Sequence, residues 1–444
     1  MTKPYFQTDL VTLYHGNNLD ILPTLADNSV DSIVTDPPYE LGFMGKKWDN
    51  SGIAYSVELW TECLRVLKPG GHLLSFGGTR TWHRVAVAIE DAGFEVRDSI
   101  AWMYGSGFPK SLDVSKAIDK AAGAERGVLT ETVEDLFGER EEEKKLAQPG
   151  ATSDRLAMGN GWQESPNETT ASTLEAQQWE GWGTALKPAF EPIVVARKPL
   201  IGTVAENVLT HGTGGLNIDG SRIGTGKGVV TFDRTKRKEE GNTYDLGTVT
   251  GVKESGQGRW PANVILDEYS AEILDEQSGI RQAGGFPKKV DRSNTAIYGQ
   301  YASEEREQRI NLDSGGASRF FYVAKASKRD RNEGLDELEA SYENRGNGFS
   351  DKISDTKQAR QNFHPTVKPT ALMEYLIKLV TPPNGTVLDP FTGSGSTGKA
   401  AIIEGFDFIG IELTAEYLPI IEGRLKWAEQ EVLERERKKD EGLF

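Results

Sequence analysis

Residues 10–39 read LVTLYHGNNLDILPTLADNSVDSIVTDPPY. Two short β-branched runs, Leu10–Tyr14 and Val30–Thr35, flank a stretch in which Leu19, Ile21, Leu22 and Leu25 have helical spacing. The pattern predicts strand, helix, strand. A second helical pattern (Val57, Trp60, Cys63, Leu64, Leu67) stops at Lys68-Pro69-Gly70-Gly71, and His72–Phe76 reads as the next strand. Arg84–Ala92 follows as a helix closed by Gly93, and Glu95–Tyr104 as a strand. Such alternation predicts an α/β fold, a mostly parallel sheet with helices on both faces.

The alternation stops at Gly105. Residues 105–186 are polar, carry the acidic run Glu131–Glu143 and hold Trp162, Trp179 and Trp182, so they read as an insertion. A strand signal returns at Phe190–Ala196 within a core segment 187–200, and 201–340 is rich in Gly, Asn and Arg with few regular elements. Residues 341–362 read as a flexible connection. Order resumes with a helix at Thr370–Val380, a strand at Thr386–Leu388, a helix at Gly398–Glu404 and a strand at Phe406–Ile411. An amphipathic helix begins at Glu416 and passes into a charged tail, 426–444. The expected core is therefore split between 1–104 and 363–425.

Composition narrows the function classes. Of 444 residues, 37% are apolar and 49 are glycine, which suits a folded chain. No apolar window reaches membrane-spanning length and the start has no basic head or apolar stretch, so a cytoplasmic protein without membrane association is expected. One cysteine, Cys63, and five scattered histidines give no disulfide framework and no metal-ligand spacing. The net charge of −16 argues against non-specific nucleic-acid binding, but net charge averages over the surface. Locally, Arg319, Lys325, Lys328, Arg329 and Arg331 face only Asp330, with Phe320, Phe321 and Tyr322 interleaved, a pattern suited to DNA contact. Lesser basic clusters are Lys46-Lys47, Arg234–Lys238 and Lys288-Lys289.

Two motifs carry chemistry. Asp36-Pro37-Pro38-Tyr39 ends the second strand, and such a tetrapeptide arises by accident on the order of 10⁻³ to 10⁻² times in a chain this long. It can be a strand-terminating turn, because two prolines cannot continue a central ladder. It can also be a grip on an exocyclic amine: a carboxylate and a proline-fixed carbonyl accept both hydrogens and leave the lone pair aimed at an electrophile, with Tyr39 as a stacking face. The second motif is Val387-Leu388-Asp389-Pro390-Phe391-Thr392-Gly393-Ser394-Gly395-Ser396-Thr397-Gly398, strand then glycine loop then helix start. Its glycines fit a dinucleotide fingerprint, a near P-loop or a nucleoside-cofactor loop. Ala400 stands where a P-loop needs Ser or Thr for magnesium, and Glu412, 23 residues after Asp389, suits ribose hydroxyls.

Together the motifs resemble those of the amino-methylating DNA methyltransferases, in the subgroup whose catalytic tetrapeptide precedes the cofactor loop. His364-Pro365-Thr366-Val367-Lys368-Pro369 and Val66-Leu67-Lys68-Pro69-Gly70-Gly71 add to the resemblance. It implies a Rossmann-like methyltransferase sheet in permuted motif order, with S-adenosylmethionine as cofactor, double-stranded DNA as partner, and adenine rather than cytosine as target because aspartate opens the tetrapeptide. Asp36, Pro37, Pro38 and Tyr39 would hold the flipped base. Asp389, Phe391, Gly393, Gly395 and Glu412 would hold the cofactor, joined by Thr366 and Lys368. Such sequences usually carry an acidic residue after the first strand, whereas this chain has His15-Gly16-Asn17-Asn18, and Asn17 is the group expected on the cofactor adenine. Segments 105–186 and 201–340 are the expected target-recognition regions. A monomer and a homodimer both fit.

Overall fold

The computed structural model describes residues 3–41, 47–105, 107, 111–128, 169–224, 228–232, 251–255, 258–282, 314–325, 327–336, 338 and 361–441. Two compact units separate: Met1–Met103 with Phe190–Phe444, and Tyr104–Ala189. The basic clusters 234–238 and 288–289, the acidic run 131–143, Trp162, Lys46 and all but the last two residues of the connection 341–362 lie outside the described residues.

The larger unit is built on a ten-stranded sheet. Its strands are β1 (Phe6–Gln7), β2 (Val11–His15), β3 (Val30–Thr35), β4 (Leu67–Phe76), β5 (Glu95–Met103), β6 (Phe190–Arg197), β7 (Val264–Asp267), β8 (Tyr322–Ala324), β9 (Thr386–Asp389) and β10 (Asp407–Glu412). Across the sheet the order is β1-β2-β10-β9-β3-β4-β6-β5-β7-β8. Neighbours are parallel except β1 on β2, and β6, which runs antiparallel between β4 and β5. The described helices of this unit are α1 (Asn18–Ile21), α2 (Val57–Val66), α3 (Trp82–Asp91), α4 (Val204–His211), α5 (Glu268–Ser278), α6 (Lys328–Asn332), α7 (Thr370–Val380), α8 (Ser396–Ile403) and α9 (Leu418–Asp440).

The two-residue period of a strand explains why both faces are covered. Val34, Leu74 and Val195 point into one core with Leu372 and Leu376 of α7, Ile402 of α8 and Leu425 of α9. Their chain neighbours Ile33, Leu73 and Val194 point the other way, against Leu59 and Cys63 of α2 and Val85 and Ile89 of α3. Every residue of β3 is buried, so this strand is the middle of the stack.

Most expected elements appear within a residue or two of their predicted bounds, and two expectations need correction. The stretch 201–340, expected to be a recognition region with few regular elements, contributes β7 and β8 to the sheet. Strands of four and three residues are too short to show a period. The charged tail expected from residue 426 is the continuation of α9 to Asp440. Ala428 is buried, and Glu422–Lys426 and Glu431–Arg435 pair at i,i+4.

The smaller unit, Tyr104–Ala189, contains helices Val114–Ala121 and Leu174–Gln178. Buried Asp119 organises it by accepting from the backbone of Ser172 and Thr173 and from Arg126 Nη1 at 2.6 Å. Among the described residues no helix is long and apolar enough to cross a membrane, and no group of three or more His, Cys, Asp or Glu is placed to hold a metal.

Candidate active site

Strands β2, β10, β9 and β3 pair in parallel, so their C-terminal ends form one edge of the sheet. In open parallel sheets this edge is where ligand-binding loops collect. Along it stand the turn after β2, then Glu412, Asp389 and Asp36. Glu412 pairs in register with His15, and Asp389 with Gly410. The strand ends that lead into the tetrapeptide and the glycine loop are joined across a long stretch of chain: Thr35 Oγ1 donates to Asp389 Oδ1, 354 residues away in sequence, at 2.6 Å.

The glycine loop is shaped by its residues. Gly393 and Gly395 hold φ of 55° and 76°, the left-handed region that glycine enters without strain. Asp389 is buried and also accepts from Phe391 N, while burial pushes its carboxyl up to about 6. Glu412 accepts from Gly393 N and Thr414 N, both at 2.7 Å, and burial pushes it up to about 7. His364 lies against the same loop. Its ring is buried edge-on to Tyr417, and desolvation lowers it to about 3, so it stays neutral.

Around the tetrapeptide, Asp36 Oδ2 accepts from Lys368 Nζ at 2.6 Å. Lys368 also lies 3.2 Å from Glu191 Oε2 and 3.3 Å from the Tyr39 hydroxyl. That hydroxyl donates to Glu191 at 2.8 Å, and Thr81 Oγ1 donates to the Tyr39 carbonyl. Burial raises the Asp36 carboxyl, with the Lys368 ammonium opposing it. For Lys368 burial acts downward, but the Asp36 and Glu191 carboxylates outweigh it and hold the ammonium charged. Asp36 Oδ1 is buried with no hydrogen-bond partner.

Several expected site residues make contacts that residue order did not show. Lys368, expected beside the cofactor, accepts from Ser396 Oγ at the end of the glycine loop through its carbonyl at 2.8 Å, while its side chain reaches the tetrapeptide from the residue before Pro369, directly after which α7 begins. Asn17 caps α1 by accepting from Leu19 N and is exposed; its neighbour Asn18 is the buried one, donating to the Pro390 carbonyl of the glycine loop at 3.4 Å. Thr366 is exposed. The basic stripe is not one surface. Arg319 Nη1 donates to the carbonyls of Gly315 and Gly316, and Arg331 Nη2 donates to the His364 carbonyl at 2.5 Å. Tyr322 of β8 stacks on Tyr375 of α7 at 4.0 Å. Lys325 and Arg329 remain exposed, Arg329 beside Glu333; the Lys328 side chain lies outside the described atoms.

Lys399 excludes the P-loop reading. It is 1% exposed and bound to Asp330 and Glu333 at 2.7 Å each, inside the core. Thr35, Glu191 and Asn18 were not singled out from the sequence; Thr35 adjoins Asp36 and Asn18 stands in the turn quoted for the cofactor, whereas Glu191 had no local signal.

The family model described as DNA methylase matches residues 30–199 and 229–423. The type II methyltransferase M2.LlaDCHI of Lactococcus lactis subsp. cremoris is 23% identical over 237 residues, 49% of this chain and 83% of that protein. The type II methyltransferase M.BamHI of Bacillus amyloliquefaciens is 39% identical over 80 residues, 17% of this chain and 19% of that protein. The DNA adenine methyltransferase YhdJ of Escherichia coli (strain K12) is 51% identical over 55 residues, 12% and 19% respectively. This chain thus spans about a fifth of the length of the last two relatives. The family match takes in the tetrapeptide, the antiparallel β6, the glycine loop and Glu412 together, and the chain belongs to the DNA methylase family.

Proposed function

We propose that the protein methylates the exocyclic amino group of adenine in duplex DNA, after the base has left the helix. The observation that carries this reading is the Thr35–Asp389 hydrogen bond, which ties an amine-gripping tetrapeptide to a nucleoside-binding loop. S-adenosylmethionine is the cofactor. The residues present fit it: two glycines with positive φ give the loop its tight turn, and two buried carboxylates, Asp389 and Glu412, stand at adjacent strand ends. When bound, it supplies a methyl group on a cationic sulfur and departs as the neutral thioether.

The chain's own groups do the rest. Asp36 Oδ1, buried and unpartnered, accepts one amino hydrogen, and the carbonyl of Pro37 accepts the other. Pro38 has no N–H to donate, so the strand ladder of β3 does not continue through the tetrapeptide. The Tyr39 ring, held by its hydroxyl on Glu191, gives the flipped base a stacking face. The amino nitrogen would take the methyl carbon as the carbon–sulfur bond breaks, and the proton it sheds would pass by way of Asp36 to solvent. Glu412 would accept from ribose hydroxyls, and Asp389 with Phe391 would line the methionine side of the loop. Adenine is favoured over cytosine by the aspartate that opens the tetrapeptide and by the likeness to YhdJ.

The test is to incubate the protein with duplex DNA and methyl-labelled cofactor, digest to nucleosides and identify the labelled one by mass spectrometry. Label is expected in N6-methyl-2′-deoxyadenosine, and Asp36→Ala is expected to lower the rate at least about a hundredfold. Label in deoxycytidine overturns the base assignment; no label on any DNA overturns the enzyme reading.

A further inference from the structure

One oxygen of Asp36 is committed and the other is free. Oδ2 is held by Lys368 Nζ at 2.6 Å, while Oδ1 is buried without a partner. Lys368 spends its charge entirely inside the site. Its side chain is 8% exposed, and Nζ sits 4.9 Å from the Phe76 ring centroid and 5.4 Å from that of Tyr39. Glu191, at the start of the antiparallel strand β6, reaches the same ammonium at 3.2 Å and takes the Tyr39 hydroxyl. The two carboxylates that meet this ammonium outnumber it, so the three groups together carry a single net negative charge.

We propose that Lys368 and Glu191 are positioning residues for amino-group methylation. Lys368 pins Asp36 by one oxygen so that the other meets the target amine, and Glu191 offsets the lysine so that a net negative charge faces the amino nitrogen as it turns cationic. This rests on the methyltransferase reading above. Without Glu191, the Asp36–Lys368 pair is neutral and has little to offer a developing positive charge. Without Lys368, the two carboxylates that share its ammonium lose their counter-charge, and one of them takes up a proton. The charged or titratable groups facing Asp36 are Lys368, Glu191, Tyr39 and Asp389, and only Lys368 is cationic among them.

The experiment is the single-turnover methylation rate against pH for the wild type, Lys368→Met, Glu191→Gln and the double variant, each also checked for cofactor affinity and melting temperature. Lys368→Met is expected to be at least tenfold slower at neutral pH, with its acidic limb displaced upward by a unit or more. Adding Glu191→Gln removes the competing carboxylate, keeps an oxygen for Tyr39, and returns the limb toward the wild-type position. A purely structural role lowers the rate at every pH and shows no rescue. An unshifted limb in Lys368→Met, or a double variant no faster than the single, overturns the proposal. If Lys368→Met does not fold, Glu191→Gln carries the test: kcat falls about tenfold with KM for DNA unchanged, and an unchanged kcat overturns it. A wild type that methylates no DNA fails the underlying reading, whereas an active wild type without these shifts fails only the positioning role.

Discussion

Glu412 shows how one side chain couples fold to chemistry. Its carboxyl is 7% exposed, already spends lone pairs on Gly393 N and Thr414 N, and is pushed by burial up to about 7. A ligand whose hydroxyls donate to it favours the ionised form, so binding lowers its pKa and releases a proton when the pH is at or below about 7. Cofactor affinity is therefore expected to rise with pH through that window, by up to about tenfold per unit, and to flatten above it. In Glu412→Gln the step near 7 disappears. Calorimetric titration at several pH values, in buffers of different ionisation enthalpy, measures both the affinity and the proton count. In the unliganded protein the sign is opposite. A raised carboxyl favours the folded state most when protonated, so this group's contribution to stability declines as pH climbs from the ordinary Glu range to about 7.

At the scale of an element, α8 explains why a glycine stands where helix propensity argues against one. A Cβ on Gly398 would lie 2.5 Å from the Phe408 ring of β10 and 2.6 Å from Leu425 of α9. Alanine would gain about 1 kcal/mol from propensity, but the overlap costs more because both neighbours are buried and hemmed in. Gly398→Ala is expected to lose about 1–2 kcal/mol net, read as a fall in urea midpoint with the slope unchanged. A midpoint that rises would mean that the helix can shift outward. The same element sets the fate of Lys399: one residue beyond Gly398 the side chain turns to Asp330 and Glu333, away from the loop it follows in sequence.

For the whole molecule the proposed function raises the question of how a chain of net charge −16 would approach a polyanion. Among the five residues expected to contact DNA, Arg319 and Arg331 bind backbone carbonyls, whereas Lys325 and Arg329 are exposed. Alanine at Lys325 or Arg329 is therefore expected to weaken duplex binding alike for all sequences. It should also flatten the plot of log affinity against log salt by about 0.9 for each phosphate that the side chain no longer neutralises. Arg331→Ala is expected instead to loosen the 362–364 segment that its guanidinium holds, lowering the melting temperature. Fluorescence anisotropy with labelled duplex at four salt concentrations separates the two classes. A salt slope unmoved by either exposed substitution would place the DNA surface elsewhere.

What could be read from residue order were the things local physics dictates. The alternation of β-branched runs and helical spacing gave the parallel sheet, the two prolines marked the end of β3, and the glycines marked the turn before α8. These signals arise within a few residues, where backbone sterics and period act. Assembly of the site was not of that kind. Asp36 and Lys368 are 332 residues apart, Tyr39 and Glu191 are 152 apart, and no spacing rule links them. Strand order brings them together: inserting β6 antiparallel beside β4 delivers Glu191 to the tetrapeptide, and placing β9 against β3 delivers Asp389 to Thr35. Which lysine faces the reaction and which is sealed in the core followed from burial as well. A charge in a dry interior is tolerated only where opposite charges meet it, and those partners come from distant stretches of the chain.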